Sequence, residues 1–191
     1  ANWINSTAFT ISDGNGNDTL DFSGFTNNQI IDLRSTDKGS NSLFTSSIAG
    51  LTGNLVISAG TIIENAIGGS GNDTVIGNSS NNTLNGGNGN DTLVGGLGDD
   101  TYIIDSISDI VNENLNEGTD LILASVSYNM PSNVEKITLT GSSDINAIGN
   151  DLDNILKGNS GSNEIDGKLG TDIVIFDGLF NDYSLSLNND N

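Results

Sequence analysis

Residues 68–103 read GGSGNDTVI, GNSSNNTLN, GGNGNDTLV and GGLGDDTYI, nine-residue segments that abut without a gap. Each begins with glycine, carries Asp or Asn at its sixth place and Thr at its seventh. The eighth place is large and apolar: Val75, Leu84, Leu93 and Tyr102. The first six positions, rich in Gly, Asn and Ser, suit sharp turns with positive φ. The last three set one inward apolar side chain between outward ones, which describes a very short strand. Turn, strand, turn and strand close a coil of 18 residues. Stacked coils pair their strands in parallel and line up the eighth-position side chains as a narrow apolar column.

The same register returns at 149–157 (GNDLDNILK), 158–166 (GNSGSNEID) and 167–175 (GKLGTDIVI), with Leu156, Ile165 and Val174 at the eighth places. A lone relative, DGNGNDTLD, spans Asp13 to Asp21. The pattern predicts an all-β chain, a right-handed parallel β-roll (β-solenoid) with cations between stacked Gly/Asp turns. An 18-residue coil sets Asp73 one level below Asp91, and Asn82 below Asp100. Ca²⁺ takes 6–8 oxygen ligands from carboxylates and backbone carbonyls, and these loops offer both. One such loop alone would read as a turn former; four in strict register, with the acid at a fixed place, point to a cation.

Composition agrees. Only 34% of the 191 residues are hydrophobic, against about 45–50% in ordinary domains, so the core is thin and needs help. Asp and Glu number 25 against 5 Lys and Arg, a net charge of -20. Nucleic acid and anionic membrane surfaces repel such a chain. There is no Cys for disulfides and no His, which disfavours zinc and removes the commonest general base. Arg34, Lys38, Lys136, Lys157 and Lys168 are scattered rather than clustered, which disfavours an anion-stabilising enzyme site. No apolar run nears the ~20 residues of a membrane span.

The segments DGNGNDTLDFSGF (13–25), ENAIGGSGNDTVIGN (64–78) and GGNGNDTL (86–93) resemble the C-terminal β-roll of the serralysins, secreted zinc metalloproteases of Gram-negative bacteria exported by type I secretion. The stretch from DDTYIIDSISDIVNE (99–113) onward is similar to the haemolysin-type RTX repeats of many secreted proteins. The resemblance implies several Ca²⁺ ions. One would lie between Gly69, Gly71, Asp73 and Gly86, Asn88, Asp91. A second would lie between Asn78, Ser80, Asn82 and Gly95, Leu97, Asp100. A third would join Gly87, Gly89 and Asp91 to the loop around Asp109. Asp13, Asn15 and Asp18 match a family site whose other half lies upstream, and Glu64 matches a further ligand. The family's zinc signature needs three histidines and this chain has none, so the resemblance implies a non-catalytic, extracellular, monomeric module. Its partners would be calcium, the parent's own catalytic or passenger domain and the type I secretion machinery. The ending SLSLNNDN shows no clear secretion signal, and the chain reads as a piece of a longer protein.

In the second run the sixth places are Asn154, Asn163 and Asp172. Either Asp151 and Asp153 make up the lost carboxylates, or this run continues the roll with little metal. Five regions follow: 1–67, an N-terminal cap and lead-in strands with Trp3, Phe9, Phe22 and Phe25 packed there; 68–112, the first repeat block; 113–148, irregular strands with an off-register loop at Glu117, Gly118 and Asp120; 149–175, the second block; and 176–191, a truncated end cap. The other reading in view is a structural or adhesive spacer of a large surface protein.

Overall fold

The computed structural model describes residues 9–36, 44–177 and 184; Trp3 and nearly all of the end cap lie outside them. Every regular element among the described residues is a short β-strand of two to four residues. Eight of them form one parallel sheet: Thr19–Asp21, Asn65–Ile67, Thr83–Asn85, Thr101–Ile104, Leu121–Ala124, Lys136–Leu139, Ile155–Lys157 and Ile173–Ile175, each hydrogen-bonded to the next. Between successive members the chain crosses to another set of strands. Ile30–Asp32, Thr74–Ile76, Thr92–Val94 and Ile110–Asn112 make a four-stranded sheet; Tyr128–Asn129, Ala147–Ile148 and Ile165–Asp166 make a three-stranded one. Phe9–Ile11 pairs with Leu55–Ile57. The chain is a parallel β-solenoid, as the repeat predicts, and no described helix is long and apolar enough to cross a membrane.

Register follows the eighth-position residue. Leu84 lies opposite Tyr102, Val75 opposite Leu93, and Leu93 opposite Val111. Val75, Leu84, Leu93 and Tyr102 are fully buried. A strand of three residues contributes one such side chain, about 1.5–3 kcal/mol when fully buried. No coil is stable by itself at that rate, so the column must be continuous. It is: Tyr102, Ile122, Ile137, Leu156 and Val174 continue in the same sheet. The two repeat blocks therefore belong to one roll, and the irregular strands of 113–148 are its middle coils.

The roll also begins earlier than the strict repeats. Leu20 lies opposite Ala66, and Ile31 opposite Val75, so the lone relative at Asp13–Asp21 and the strand after it supply the first coil. Phe22 and Phe25 pack on the core with ring centroids 6.2 Å apart, whereas Phe9 is 40% exposed. Arg34 pairs with Asp32 at 2.7 Å and lies 4.1 Å from the centre of the Phe44 ring.

Candidate metal ladders

Two residues before each inward side chain stands the sixth place of a repeat, where the turn enters the strand. Along the eight-stranded sheet these places hold Asp18, Glu64, Asn82, Asp100, Asp120, Glu135, Asn154 and Asp172. On the other side they hold Gln29, Asp73, Asp91 and Asp109, and then Val126, Ile145 and Asn163. Carboxylates thus reach both ends of one ladder, interrupted by Asn82 and Asn154, and stop part-way up the other.

Each ladder is joined from coil to coil. The backbone N–H of one sixth residue donates to the side chain of the next: Gln29 to Asp73 Oδ1 (2.7 Å), Asp73 to Asp91 Oδ1 (2.7 Å) and Asp91 to Asp109 Oδ1 (2.9 Å). On the long ladder, Asn82 donates to Asp100 Oδ1 (2.6 Å), Asp100 to Asp120 Oδ1 (2.8 Å) and Asp120 to Glu135 Oε2 (2.8 Å). Asn154 donates to Asp172 Oδ1 at 2.9 Å. The pairs Asp73–Asp91, Asp91–Asp109 and Asn82–Asp100, predicted from an 18-residue spacing, are brought together. Asp18 and Glu64, assigned from the sequence to separate sites, stand on adjacent coils, the Asp18 N–H donating to Glu64 Oε2 at 2.8 Å. Asp13 and Asn15 are both exposed; Asp13 donates its backbone N–H to Thr61 Oγ1 and meets Asp18 through its side chain. The sequence singles out Asp120 only within the off-register loop of Glu117, Gly118 and Asp120, and Glu113 and Glu135, which no repeat spacing marks, are not named as ligands there.

One carboxylate oxygen is spoken for; the other is not. Asp18 Oδ2, Asp91 Oδ2, Asp100 Oδ2, Asp120 Oδ2 and Glu113 Oε2 are buried without a hydrogen-bond partner, as is the amide of Gln29. A buried carboxylate with a free oxygen is costly unless a cation meets it. Burial pushes the Asp91 carboxyl up to about 6; the Asp73 N–H works against this and the charge of Asp109 adds to it. Asp100 is pushed up to about 7 by burial, with Asp120 adding its charge, and Asp120 to about 6, with Glu135 adding. Glu113 rises to about 8, again through burial, with Asp120 and Asp100 adding to it. Oxygen-only donors, negatively charged and joined by backbone carbonyls of the glycine turns, fit Ca²⁺.

The turns come in two forms. In the first, the second-position N–H closes onto its own sixth side chain: Gly69 to Asp73 Oδ2 (2.7 Å), Asn78 to Asn82 Oδ1 (2.7 Å), Asn150 to Asn154 Oδ1 (2.8 Å) and Asn159 to Asn163 Oδ1 (2.9 Å). In the second, the second residue has positive φ: Gly87 (86°), Gly96 (95°) and Lys168 (70°). There the N–H of Gly87 turns away to Asn85, and Asp91 and Asp100 keep a free oxygen. The closed asparagine turns also carry their own cross-links. Asn78 Nδ2 donates to the Ile63 carbonyl (2.7 Å) and Asn82 Nδ2 to the Glu64 carbonyl (3.1 Å). Asn150 Nδ2 donates to the carbonyls of Pro131 (2.7 Å) and Val134 (2.8 Å). Among the residues expected at the second site, Ser80 donates its N–H to Asn78 Oδ1, and the Leu97 side chain is 55% exposed, leaving only its carbonyl for an ion.

Residues 2–131 match the family described as Peptidase M10 serralysin C terminal. The chain belongs to that family. Residues 148–179 match the RTX calcium-binding nonapeptide repeat. The serralysin match runs into the irregular coils as far as Pro131. Among similar proteins, metallopeptidase AprA of Pseudomonas marginalis is 52% identical over 67 residues, 35% of this chain and 13% of that protein. Serralysin of Photorhabdus sp. (strain Az29) is 54% identical over 65 residues, 34% of this chain and 12% of the other. Serralysin C of Dickeya chrysanthemi is 54% identical over 65 residues, again 12% of its length. The serralysin-type segment seen here thus covers about an eighth of each relative's length.

Proposed function

We propose that this serralysin-type roll is a calcium-dependent folding module of a secreted Gram-negative protein, a zinc metalloprotease whose catalytic domain lies elsewhere in the parent. The observation that carries the reading is the set of buried, unpartnered carboxylate oxygens of Asp91, Asp100 and Asp120 beside glycine turns. Gly69, Gly71 and Asp73 with Gly86, Asn88 and Asp91 would hold one Ca²⁺, and Gly87, Gly89 and Asp91 with the Asp109 loop another. Gly95, Leu97 and Asp100 would take a third, facing Asn78, Ser80 and Asn82; Asp13, Asp18 and Glu64 are a further set, and Asn154 with Asp172 the last. In a compartment poor in Ca²⁺, a net charge of -20 keeps the chain expanded, the form a narrow type I export channel accepts. Outside, extracellular modules bind Ca²⁺ at about 10⁻⁴–10⁻³ M. Each ion at ten times its dissociation constant then adds about 1.4 kcal/mol, and several ions rival the ~5–15 kcal/mol stability of a typical domain.

Far-UV circular dichroism during a Ca²⁺ titration from EGTA tests this, with Mg²⁺ as the control. A cooperative gain of β signal with Ca²⁺ alone is expected. A chain folded equally well in EGTA would favour the second reading, a passive structural or adhesive spacer. That reading draws on the asparagine turns at 149–163, whose amides already satisfy neighbouring carbonyls.

A further inference from the structure

We infer that Asp100, Glu113 and Asp120 form a three-carboxylate cation site at the widened coil, the tightest on the roll, with Tyr102 as its built-in reporter. The inference rests on the calcium-folding reading and adds to it a ligand from outside the repeat. From Asn82 to Asp100 the coil takes 18 residues; from Asp100 to Asp120 it takes 20. The longer coil contains Glu113, directly after the strand Ile110–Asn112. Glu113 turns toward the core, where its Oε1 accepts a hydrogen bond from the hydroxyl of the fully buried Tyr102.

One oxygen from each of the three carboxylates lies within 4.8 Å of the others. Asp100 and Asp120 are each 1% exposed. Their Oδ1 atoms are held by the N–H groups of Asn82 and Asp100. Asp100 Oδ2, Asp120 Oδ2 and Glu113 Oε2 have no partner, and none of the ion pairs among the described residues involves these acids. Two buried carboxylates and a half-buried third at this spacing repel one another strongly when ionised. A cation among them removes the repulsion and partners the free oxygens. All donors are oxygen, which suits Ca²⁺ and lanthanide ions rather than zinc. The Asp73–Asp91 pair brings two carboxylates to its ion; a third raises affinity through ligand charge. The Asp13, Asp18 and Glu64 set also has three carboxylates, but its Asp13 is exposed whereas Asp100 and Asp120 are buried, so this site fills first.

Tb³⁺ added to the full chain carrying Tyr128→Phe is the probe, its emission sensitised by excitation of tyrosine; the substitution silences Tyr128, whose hydroxyl donates to the Asp109 carbonyl beside another expected ion. Emission should rise with the first ion bound. Tyr102→Phe should remove most of it, and so should Glu113→Gln, although Tyr102 is intact there. Glu113→Gln should also raise the Ca²⁺ concentration of the first binding step about tenfold. If Glu113→Gln fails to fold with Ca²⁺, Glu113→Asp takes its place, keeping the charge on a shorter arm and read for the same loss. Emission that survives Tyr102→Phe, or a folded Glu113 variant that titrates like the parent chain, overturns the site. A parent chain that gains no β signal with Ca²⁺ overturns the broader reading instead, so the two failures are distinct.

Discussion

Replacing Asp91 by Asn should stabilise the ion-free fold and weaken the calcium-loaded one. The substitution keeps Oδ1, which accepts the Asp73 N–H at 2.7 Å, and replaces the unpartnered Oδ2 with an amide. A carboxyl raised from 3.8 to about 6 in the fold penalises the ionised native state by at most about 3 kcal/mol. That penalty is full above the folded pKa and vanishes below the unfolded one, so at pH 8 the Asp91→Asn variant recovers it in EGTA. With Ca²⁺ present the sign reverses, because Asp91 faces both Asp73 and Asp109 and its charge serves two expected ions. Losing one of them at ten times its dissociation constant costs about 1.4 kcal/mol. Urea unfolding followed by circular dichroism measures both, with sucrose added in EGTA so that the ion-free fold is populated. A variant destabilised equally in EGTA and in Ca²⁺ would refute the reasoning and make Asp91 a plain hydrogen-bond acceptor.

Acidity should act the same way on Asp91, Asp100, Glu113 and Asp120 together. In EGTA the fold should gain stability as pH falls from 8 to 5, because Asp91, Asp100, Glu113 and Asp120 all have raised pKa values of about 6, 7, 8 and 6. Native protons are bound before unfolded ones, so the slope is opposite to ordinary acid unfolding. In Ca²⁺ the midpoint ion concentration should instead rise as pH falls, through proton competition, and thermal melts in the two buffers separate these trends. Asn154→Asp should make its turn calcium-dependent, since it removes amide donation to Asn150 Oδ1 and the Val134 carbonyl and faces Asp172 with a like charge; hydrogen exchange at 149–157 in EGTA should speed up. Gly118→Ala should cost about 3 kcal/mol or more, because its Cβ would collide with the Gly98 carbonyl of the coil below. Gly14→Ala, with open space around it, is the control, and urea midpoints compare the two.

How much could be read from residues alone depends on the range of the interaction. A nine-residue period, a glycine-rich turn and one inward apolar residue are local properties, so the solenoid, its parallel strands and the column of Val75, Leu84, Leu93 and Tyr102 follow from them. So do the pairs one 18-residue coil apart, Asp73 with Asp91 and Asn82 with Asp100. Coil length is not local. It becomes 46 residues between Asp18 and Glu64, 20 between Asp100 and Asp120 and 15 between Asp120 and Glu135, and wherever it changes, the spacing rule loses its partner. Only the folded roll, whose backbone hydrogen bonds keep the inward residues stacked whatever loop lies between, set Asp18 beside Glu64 and brought Glu113 up to Asp100 and Asp120. The turn form, by contrast, has a local cause at Gly87 and Lys168 that the nine-residue consensus hides: the Gly87 N–H is taken by Asn85 Oδ1 and the Lys168 N–H by Asp166 Oδ1, whereas Ile67 offers Gly69 no side-chain acceptor and its N–H closes onto Asp73. What that leaves for tertiary structure to decide is which carboxylates meet across coils of unequal length.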